Sequence, residues 1–202
     1  MNLPNKLTVL RLLLVPFILV VMLLPYSLLT NLLAALIFGV ASFTDMLDGK
    51  IARKHGLVTD FGKFLDPLAD KFMVIAAIFG IVCRYRATGG IMFWAFMIML
   101  MVTVFRELAV ASIRLITAKK SGIVVAADIL GKIKTVVQIA CIEFALLEPL
   151  FYDHVLARID PTYGLGGFYV LTLLLAGAAI VFTLWSGINY ITSYWKYMDP
   201  EK

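Results

Sequence analysis

Charged residues are scarce in this sequence. Asp, Glu, Lys and Arg make up only 15% of its 202 residues, and 62% of the residues are hydrophobic. Soluble globular domains have about 25% charged and about 45–50% apolar residues. The composition therefore excludes a disordered chain and argues against an ordinary soluble domain.

Cysteine and histidine are nearly absent as well. Cys83 and Cys141 lie within apolar stretches, with no partner at metal-binding or redox spacing, so we interpret them as small buried hydrophobic residues. His55 and His154 are far apart and lack the spacing of metal ligands, and we interpret them as solvated loop residues. These patterns exclude a zinc site built from Cys and His.

Internal repeats, low-complexity tracts and linkers rich in Pro or Gly are also missing, which predicts one domain over residues 1–202. The first apolar run is followed by Pro25 and Tyr26, without the small residues of a signal-peptide cleavage site. We therefore expect this run to be retained as a membrane span.

Long apolar runs are what the sequence has in abundance. They are apolar on every side, as in residues 12–24, which indicates helices rather than barrel strands. The sequence thus predicts an all-α integral membrane protein with six transmembrane helices. The expected spans are Leu7–Leu24, Leu28–Phe43, Asp66–Cys83, Ile91–Ile116, Ile129–Phe151 and Gly166–Tyr194, and the helical pattern of the second continues through Asp45 to Arg53.

The basic residues predict the orientation. A net charge of +5 would suggest nucleic acid for a soluble protein, but here the bases lie between apolar runs and suggest a membrane, with no nucleic-acid partner. Six spans place 15 of the 18 Lys and Arg residues on the side of the two termini, leaving Arg84, Arg86 and Arg158 on the other. The positive-inside rule then places both termini in the cytoplasm and the protein in the cell membrane.

Four aspartates lie at or near ends of the expected spans. Asp45 and Asp48 are spaced i,i+3, and Asp66 and Asp70 are spaced i,i+4, so each pair projects from one face of a helix. A carboxylate at the centre of a membrane helix costs about 2.5–3.5 kcal/mol. If the two helices are antiparallel neighbours, the four side chains converge and need a cation between them.

Ligands that are all carboxylate oxygens favour Mg²⁺ or Mn²⁺ over zinc. The alternative is that the aspartates cap helices and form surface salt bridges with nearby lysines. Asp66 directly before Pro67 does resemble a helix N-cap followed by proline.

Small residues share the face of the first acidic pair. Gly49 and Ala52 continue the i, i+3, i+4, i+7 pattern of Asp45 and Asp48, so a flat or bulky ligand could touch the helix backbone there. Arg53 could bind an anion with its planar guanidinium. The alternative is that the small residues serve ordinary helix packing in the membrane.

Together these residues form the pattern D-x-x-D-G-x-x-A-R, eight residues, then G-x-x-x-D-x-x-x-D, from Asp45 to Asp70. This pattern resembles the signature of the CDP-alcohol phosphatidyltransferase family. Residues 2–11, the pair Arg106-Glu107 and residues 131–135 are similar to the phosphatidylglycerophosphate synthase branch of that family.

The resemblance implies an enzyme with six spans, usually a homodimer, whose polar site opens at the cytoplasmic interface. Its donor would be CDP-diacylglycerol and its acceptor sn-glycerol 3-phosphate, and the products would be phosphatidylglycerol phosphate and CMP. Two divalent cations, Mg²⁺ or Mn²⁺, would be held by Asp45, Asp48, Asp66 and Asp70. Asp70 would also be the catalytic general base.

The same resemblance implies binding roles for further residues. Gly49 and Ala52 would leave room for the cytidine, with Arg53, Thr59 and Thr8 near the polar groups of the nucleotide. An acceptor with its own phosphate needs a second cationic pocket, and the candidates for it are Arg106, Arg114, Lys132 and Lys134. The alternatives are that Thr59 is a turn residue and that the lysines contact anionic lipid headgroups.

Other functions remain open at the level of sequence. The same chemistry could use inositol phosphate, serine or phosphatidylglycerol as acceptor. A divalent-cation transporter would explain four aspartates near the membrane, but it does not explain Gly49, Ala52, Arg53 and Gly62 beside them. A lipid-binding scaffold would need no catalytic aspartate at all.

Overall fold

The computed structural model describes residues 2–55, 59–87, 89–121, 129–152 and 169–195, and this part of the chain is helical, without strands. The helices are α1 (Leu3–Leu23), α2 (Leu28–His55), α3 (Asp60–Tyr85), α4 (Ile91–Ser121), α5 (Ile129–Phe151) and α6 (Val170–Tyr194). The prediction of an all-α architecture is confirmed.

Four of these helices contain a segment long and apolar enough to cross a membrane, namely Asn5–Leu23, Leu28–Asp45, Ile91–Thr117 and Val170–Tyr194. Large apolar side chains such as Leu13, Phe105 and Trp185 are exposed along the helices, as a lipid environment requires. Helices α3 and α5 are of similar length, but charged residues such as Asp70 in α3 and Lys134 in α5 interrupt their apolar segments. The protein is therefore a membrane protein, and six spans remain a prediction.

Capping residues move the starts of two helices away from the predicted spans. Helix α1 begins at Leu3 rather than Leu7 because the Asn2 side chain accepts a hydrogen bond from the backbone N–H of Asn5 at 3.2 Å. Helix α3 begins at Asp60 rather than Asp66 because Thr59 is its N-cap. The interpretation of Asp66 as an N-cap is wrong, since Pro67 lies inside the helix.

The remaining ends agree more closely with the sequence pattern. Helix α5 has the predicted bounds, and α4 continues five residues beyond the predicted Ile116. Helix α2 continues to His55, so this histidine ends a helix and does not lie in a loop as predicted. His154 and the predicted start of the last span at Gly166 lie outside the described residues.

The packing order of the helices determines where the polar residues meet. Helix α1 packs on α2 and α3, α4 packs on α3 and α6, and α5 packs on α2 and α6. The apolar core between them contains residues from each helix, including Ile18, Phe38, Ile78, Phe96 and Ile142, and it also includes Cys141. Cys83 is half-buried. Both cysteines are free thiols.

Candidate active site

A row of polar residues on α1 is hydrogen-bonded to the first half of α3. Asn5, Thr8 and Arg11 are spaced i, i+3, i+6, and all three are buried. The bonds run from Asn5 Nδ2 to Thr59 Oγ1 at 2.9 Å, from Thr8 Oγ1 to Asp66 Oδ1 at 2.6 Å, and from Arg11 Nη1 to Asp70 Oδ1 at 2.9 Å. Both partners advance along their helices in the same order, so α1 and α3 run parallel here.

Arg11 also contacts the acidic end of α2. Its Nη1 lies 2.5 Å from Asp45 Oδ1, so two carboxylate oxygens from different helices lie within 2.9 Å of one nitrogen. The negative charges of Asp45 and Asp66 also act on the Asp70 carboxylate. The side chains of Asp45 and Asp70 are 36% and 41% exposed, so both carboxylates can be reached by a ligand.

The donor set suits a hard divalent ion, because it consists of carboxylate oxygens that are exposed to a ligand. Within the described part of the chain, however, no three Asp, Glu, His or Cys side chains gather closely enough to hold an ion. The side chain of Asp48 lies outside that part. The metal site of four aspartates therefore stays a prediction.

The predicted residues of the nucleotide site divide into two groups. Gly49, Ala52 and Arg53 lie in the last turns of α2, and their side chains are outside the described residues. Thr59 and Thr8 have partners within the protein: the Thr59 hydroxyl caps α3 by accepting from the Gly62 N–H at 3.1 Å, and Thr8 donates to an aspartate of the acidic group.

Gly62 has a clear packing role. A Cβ atom at this position would lie 2.8 Å from Asn5 Oδ1 and 3.3 Å from Thr59 Oγ1. The absent side chain lets the start of α1 approach the start of α3. This glycine of the sequence pattern therefore helps to bring Thr8 and Arg11 to the aspartates.

A second polar cluster surrounds the carboxylate of Glu107 on α4. Lys134 of α5 donates to Oε1, Arg106 Nη1 lies 3.0 Å from Oε1, and Lys71 Nζ of α3 lies 3.5 Å from Oε2. Two of the residues predicted to bind the phosphate of the acceptor substrate, Arg106 and Lys134, are thus brought together. Arg114 is exposed.

The other predicted base of the acceptor pocket, Lys132, is exposed too. Neither Arg114 nor Lys132 forms an ion pair with another described side chain. The structure therefore places these two bases at the surface near the cluster's helices and does not bring them to Glu107.

The acidic group and the Glu107 cluster are adjacent, because they contain neighbouring residues of one helix. Asp70 contacts Arg11 on one side of α3, and Lys71 contacts Glu107. Consecutive residues of an α-helix project about 100° apart. The acidic group can therefore bind a diphosphate through divalent cations, and the Glu107 cluster beside it can bind a second anion.

A family model of the CDP-alcohol phosphatidyltransferases matches residues 1–187. The chain belongs to the CDP-alcohol phosphatidyltransferase family. Membership accounts for the acidic pattern of α2 and α3 described above, and it agrees with the resemblance seen in the sequence.

Relatives within this family are similar over nearly their whole length. The chain is 38% identical over 206 residues to the CDP-diacylglycerol–glycerol-3-phosphate 3-phosphatidyltransferase of Bacillus subtilis, with 96% of each chain covered. It is 32% identical to the protein of the same name from Salmonella choleraesuis and 33% identical to that from Shigella flexneri serotype 5b, covering 95% of this chain and 94% of either relative.

Several polar residues of the two clusters were not predicted as site residues. They are Asn5, Arg11, Lys71 and Glu107. For α1 a signal exists, since Asn5, Thr8 and Arg11 repeat at helical spacing and form a polar face on an otherwise apolar helix. Glu107 belongs to the Arg106-Glu107 pair that is similar to the phosphatidylglycerophosphate synthase branch, and for Lys71 the only signal is its position next to Asp70.

Proposed function

We propose that the protein transfers the phosphatidyl group of CDP-diacylglycerol to sn-glycerol 3-phosphate, giving phosphatidylglycerol phosphate and CMP. The observation that carries the proposal is the pair of adjacent clusters on α3, one acidic around Asp70 and one cationic around Glu107. A diphosphate donor and a phosphorylated acceptor need such a pair. The names of the relatives from three bacteria agree with it.

In this proposal two divalent cations, Mg²⁺ or Mn²⁺, are held by Asp45, Asp48, Asp66 and Asp70. When bound, they would neutralise the diphosphate and stabilise the oxygen that leaves with CMP. Arg11 supplies positive charge to the same carboxylates from the protein's own side. Thr8 fixes the Asp66 carboxylate by donating to it.

Asp70 is proposed as the general base. The new bond forms between the acceptor's hydroxyl oxygen and the lipid-side phosphorus, the bond from that phosphorus to the CMP oxygen breaks, and the hydroxyl proton passes to Asp70. The Arg11 contact orients the Asp70 carboxylate, and the side chain of Asp70 is 41% exposed, so the acceptor can reach it.

The nucleotide is proposed to lie along the end of α2, where Gly49 and Ala52 leave the backbone accessible and Arg53 supplies positive charge. Thr59 and Thr8 are proposed to lie at the edge of this region. Their hydroxyl groups already have protein partners, so their contribution is to hold α1 against α3.

The acceptor's phosphate is proposed to bind at the cationic cluster. Arg106 and Lys134 contact the same oxygen of Glu107 there, namely Oε1. Arg114 and Lys132 are exposed, and we propose that they attract the acceptor or anionic headgroups toward the same side of the membrane.

The distribution of Lys and Arg supports a site that faces the cytoplasm, with both termini on that side of the cell membrane. We also propose a homodimer, as is usual in the family.

A CMP-release assay tests the proposed function. Purified protein is given CDP-diacylglycerol and Mg²⁺ together with glycerol 3-phosphate, serine, inositol phosphate or phosphatidylglycerol in separate reactions. We expect glycerol 3-phosphate to release CMP at least about 100-fold faster than the other acceptors, because only a matching acceptor satisfies the buried polar groups. Release with another acceptor and not with glycerol 3-phosphate would contradict the proposed acceptor, and release with none would contradict the transferase.

A further inference from the structure

Glu107 is an acidic residue at the centre of a cationic site. Its carboxylate is 9% exposed and contacts Lys71 of α3, Arg106 of α4 and Lys134 of α5. Arg106 extends the contacts to α6, since its Nη2 donates to Ser186 Oγ at 2.7 Å. One carboxylate therefore links three cations, and through them four helices.

Arg106 packs closely against α6. A Cβ atom at Gly187 would lie 3.1 Å from Arg106 Cγ, which is a tight contact, whereas a Cβ at Gly131 would lie at an ordinary contact distance of 3.7 Å from Nη2. The absence of a side chain at Gly187 therefore leaves room for the aliphatic part of Arg106. The buried Nε of Arg106 has no hydrogen-bond partner among the described residues, so the group retains donor capacity.

The charges of the cluster do not balance. One carboxylate faces three cations, which leaves an excess of two positive charges. A phosphate monoester carries about −1.5 to −2 charges at pH 7 and offers three acceptor oxygens. A ligand of this chemistry would complete the cluster, whereas a neutral alcohol would not.

We propose that Glu107 is a positioning residue that holds Lys71, Arg106 and Lys134 at the spacing required by the phosphate of the acceptor. The inference rests on the proposed function and adds to it a residue that binds no substrate itself. Glu107 accepts one hydrogen bond or ion pair from each cation, and the N–H groups that bond neither Glu107 nor Ser186 can donate to the phosphate. Without this carboxylate, three neighbouring cations repel one another and separate.

Glu107→Gln and Glu107→Asp test the inference by steady-state kinetics with both substrates varied. For Glu107→Gln we expect the KM for glycerol 3-phosphate to rise at least about tenfold, with the KM for CDP-diacylglycerol within about twofold of the unmodified protein. Inorganic phosphate, used as a competitor of the acceptor, should lose affinity by a similar factor. Glu107→Asp keeps the charge on a shorter side chain and should restore part of the loss.

Glu148→Gln is the matched control. Glu148 also joins two helices, because its carboxylate accepts from the backbone N–H groups of Leu171 and Thr172 at the start of α6, at the other end of α5 from Lys134. This variant should lower the thermal midpoint of unfolding and leave the ratio of the two KM values unchanged.

Three outcomes would overturn the inference: equal changes in both KM values, an unchanged KM for glycerol 3-phosphate, or a lower one, which would make Glu107 only a counter-charge. If Glu107→Gln does not fold, Glu107→Asp with a native thermal midpoint decides by the same criteria. Failure of the proposed function is distinct, because the unmodified protein would then release no CMP with glycerol 3-phosphate.

Discussion

Arg11 joins two carboxylates that would otherwise repel each other. It is almost fully buried, and its Nη1 contacts Asp45 of α2 and Asp70 of α3. Burying a guanidinium is costly unless the charge is paired, and pairing with two carboxylates offsets that cost. The acidic ends of the two helices are therefore held together by a residue from a third.

Replacing Asp70 by Asn should separate chemistry from binding. The amide keeps the size of the side chain and cannot take a proton, so we expect kcat to fall by about 10²–10⁴-fold. With Mg²⁺ raised until it saturates the variant's weakened metal sites, the KM for CDP-diacylglycerol should change by less than about threefold. Steady-state kinetics with both substrates varied measures the two effects separately.

An equal loss of kcat and of donor affinity would contradict a role as general base and would indicate that Asp70 only maintains the structure. Asn at position 70 can still accept from Arg11, so the fold should survive. A thermal midpoint close to that of the unmodified protein checks this.

At the level of single residues, helical spacing predicts part of the site. Asp45 and Asp70 stand out in the sequence because carboxylates are rare in apolar runs, and the structure brings them together. Arg11 shares a polar helical face with Asn5 and Thr8, but it stands out less than the aspartates, because a base near the start of an apolar run is also what the positive-inside rule requires. Its contact with Asp70 spans 59 residues of sequence and depends on α1 packing against α3.

Helix α3 is the element that organises the site. It begins at the cap formed by Thr59, and its first three turns present residues to α1, α2 and α4. The apolar run of the sequence starts only at Asp66, so the polar first turn of α3 could not be recognised from hydrophobicity. The cap and the contacts with α1 stabilise that turn instead.

Gly62→Ala should destabilise the junction between α1 and α3. Alanine is favoured over glycine in a helix by about 1 kcal/mol, but overpacking costs about 1–3 kcal/mol. The clash should prevail, because the added Cβ would lie 2.8 Å from Asn5 Oδ1, and the buried Asn5 is fixed by its hydrogen bonds to Thr59. Thermal unfolding in detergent should show a lower midpoint.

Gly177→Ala in α6 provides the matched control, since a Cβ there would meet no atom within 4 Å. This variant should unfold at the same temperature as the unmodified protein or slightly higher. A midpoint for Gly62→Ala that is also unchanged or higher would contradict the close approach of α1 to α3.

For the whole molecule, composition predicts the class of protein better than it predicts the arrangement. The high apolar content and the long apolar runs correctly predict an all-α membrane protein. The order in which the described helices pack does not follow from hydrophobicity, because an apolar run does not specify which neighbour it packs against. Partly buried polar pairs such as Arg11 with Asp70 and Lys71 with Glu107 connect α3 to α1 and α4 specifically.

Buried polar groups outside the two clusters also connect helices. Gln138 of α5 donates to Thr103 of α4 and to Thr183 of α6 at 2.8 and 3.2 Å. Each such bond contributes about 0.6–1.7 kcal/mol in a membrane protein. Together with the Glu107 cluster, these bonds hold α4, α5 and α6 in a fixed arrangement beside α3.

Carboxylates from α2 and α3 are proposed to form one binding site for divalent ions. Electron paramagnetic resonance of Mn²⁺ titrated into the purified protein measures this binding without turnover. We expect about two bound Mn²⁺ per chain, with weaker or fewer sites in Asp45→Asn and in Asp70→Asn and unchanged binding in Glu148→Gln. No bound Mn²⁺ in the unmodified protein, or equal binding in all variants, would contradict it.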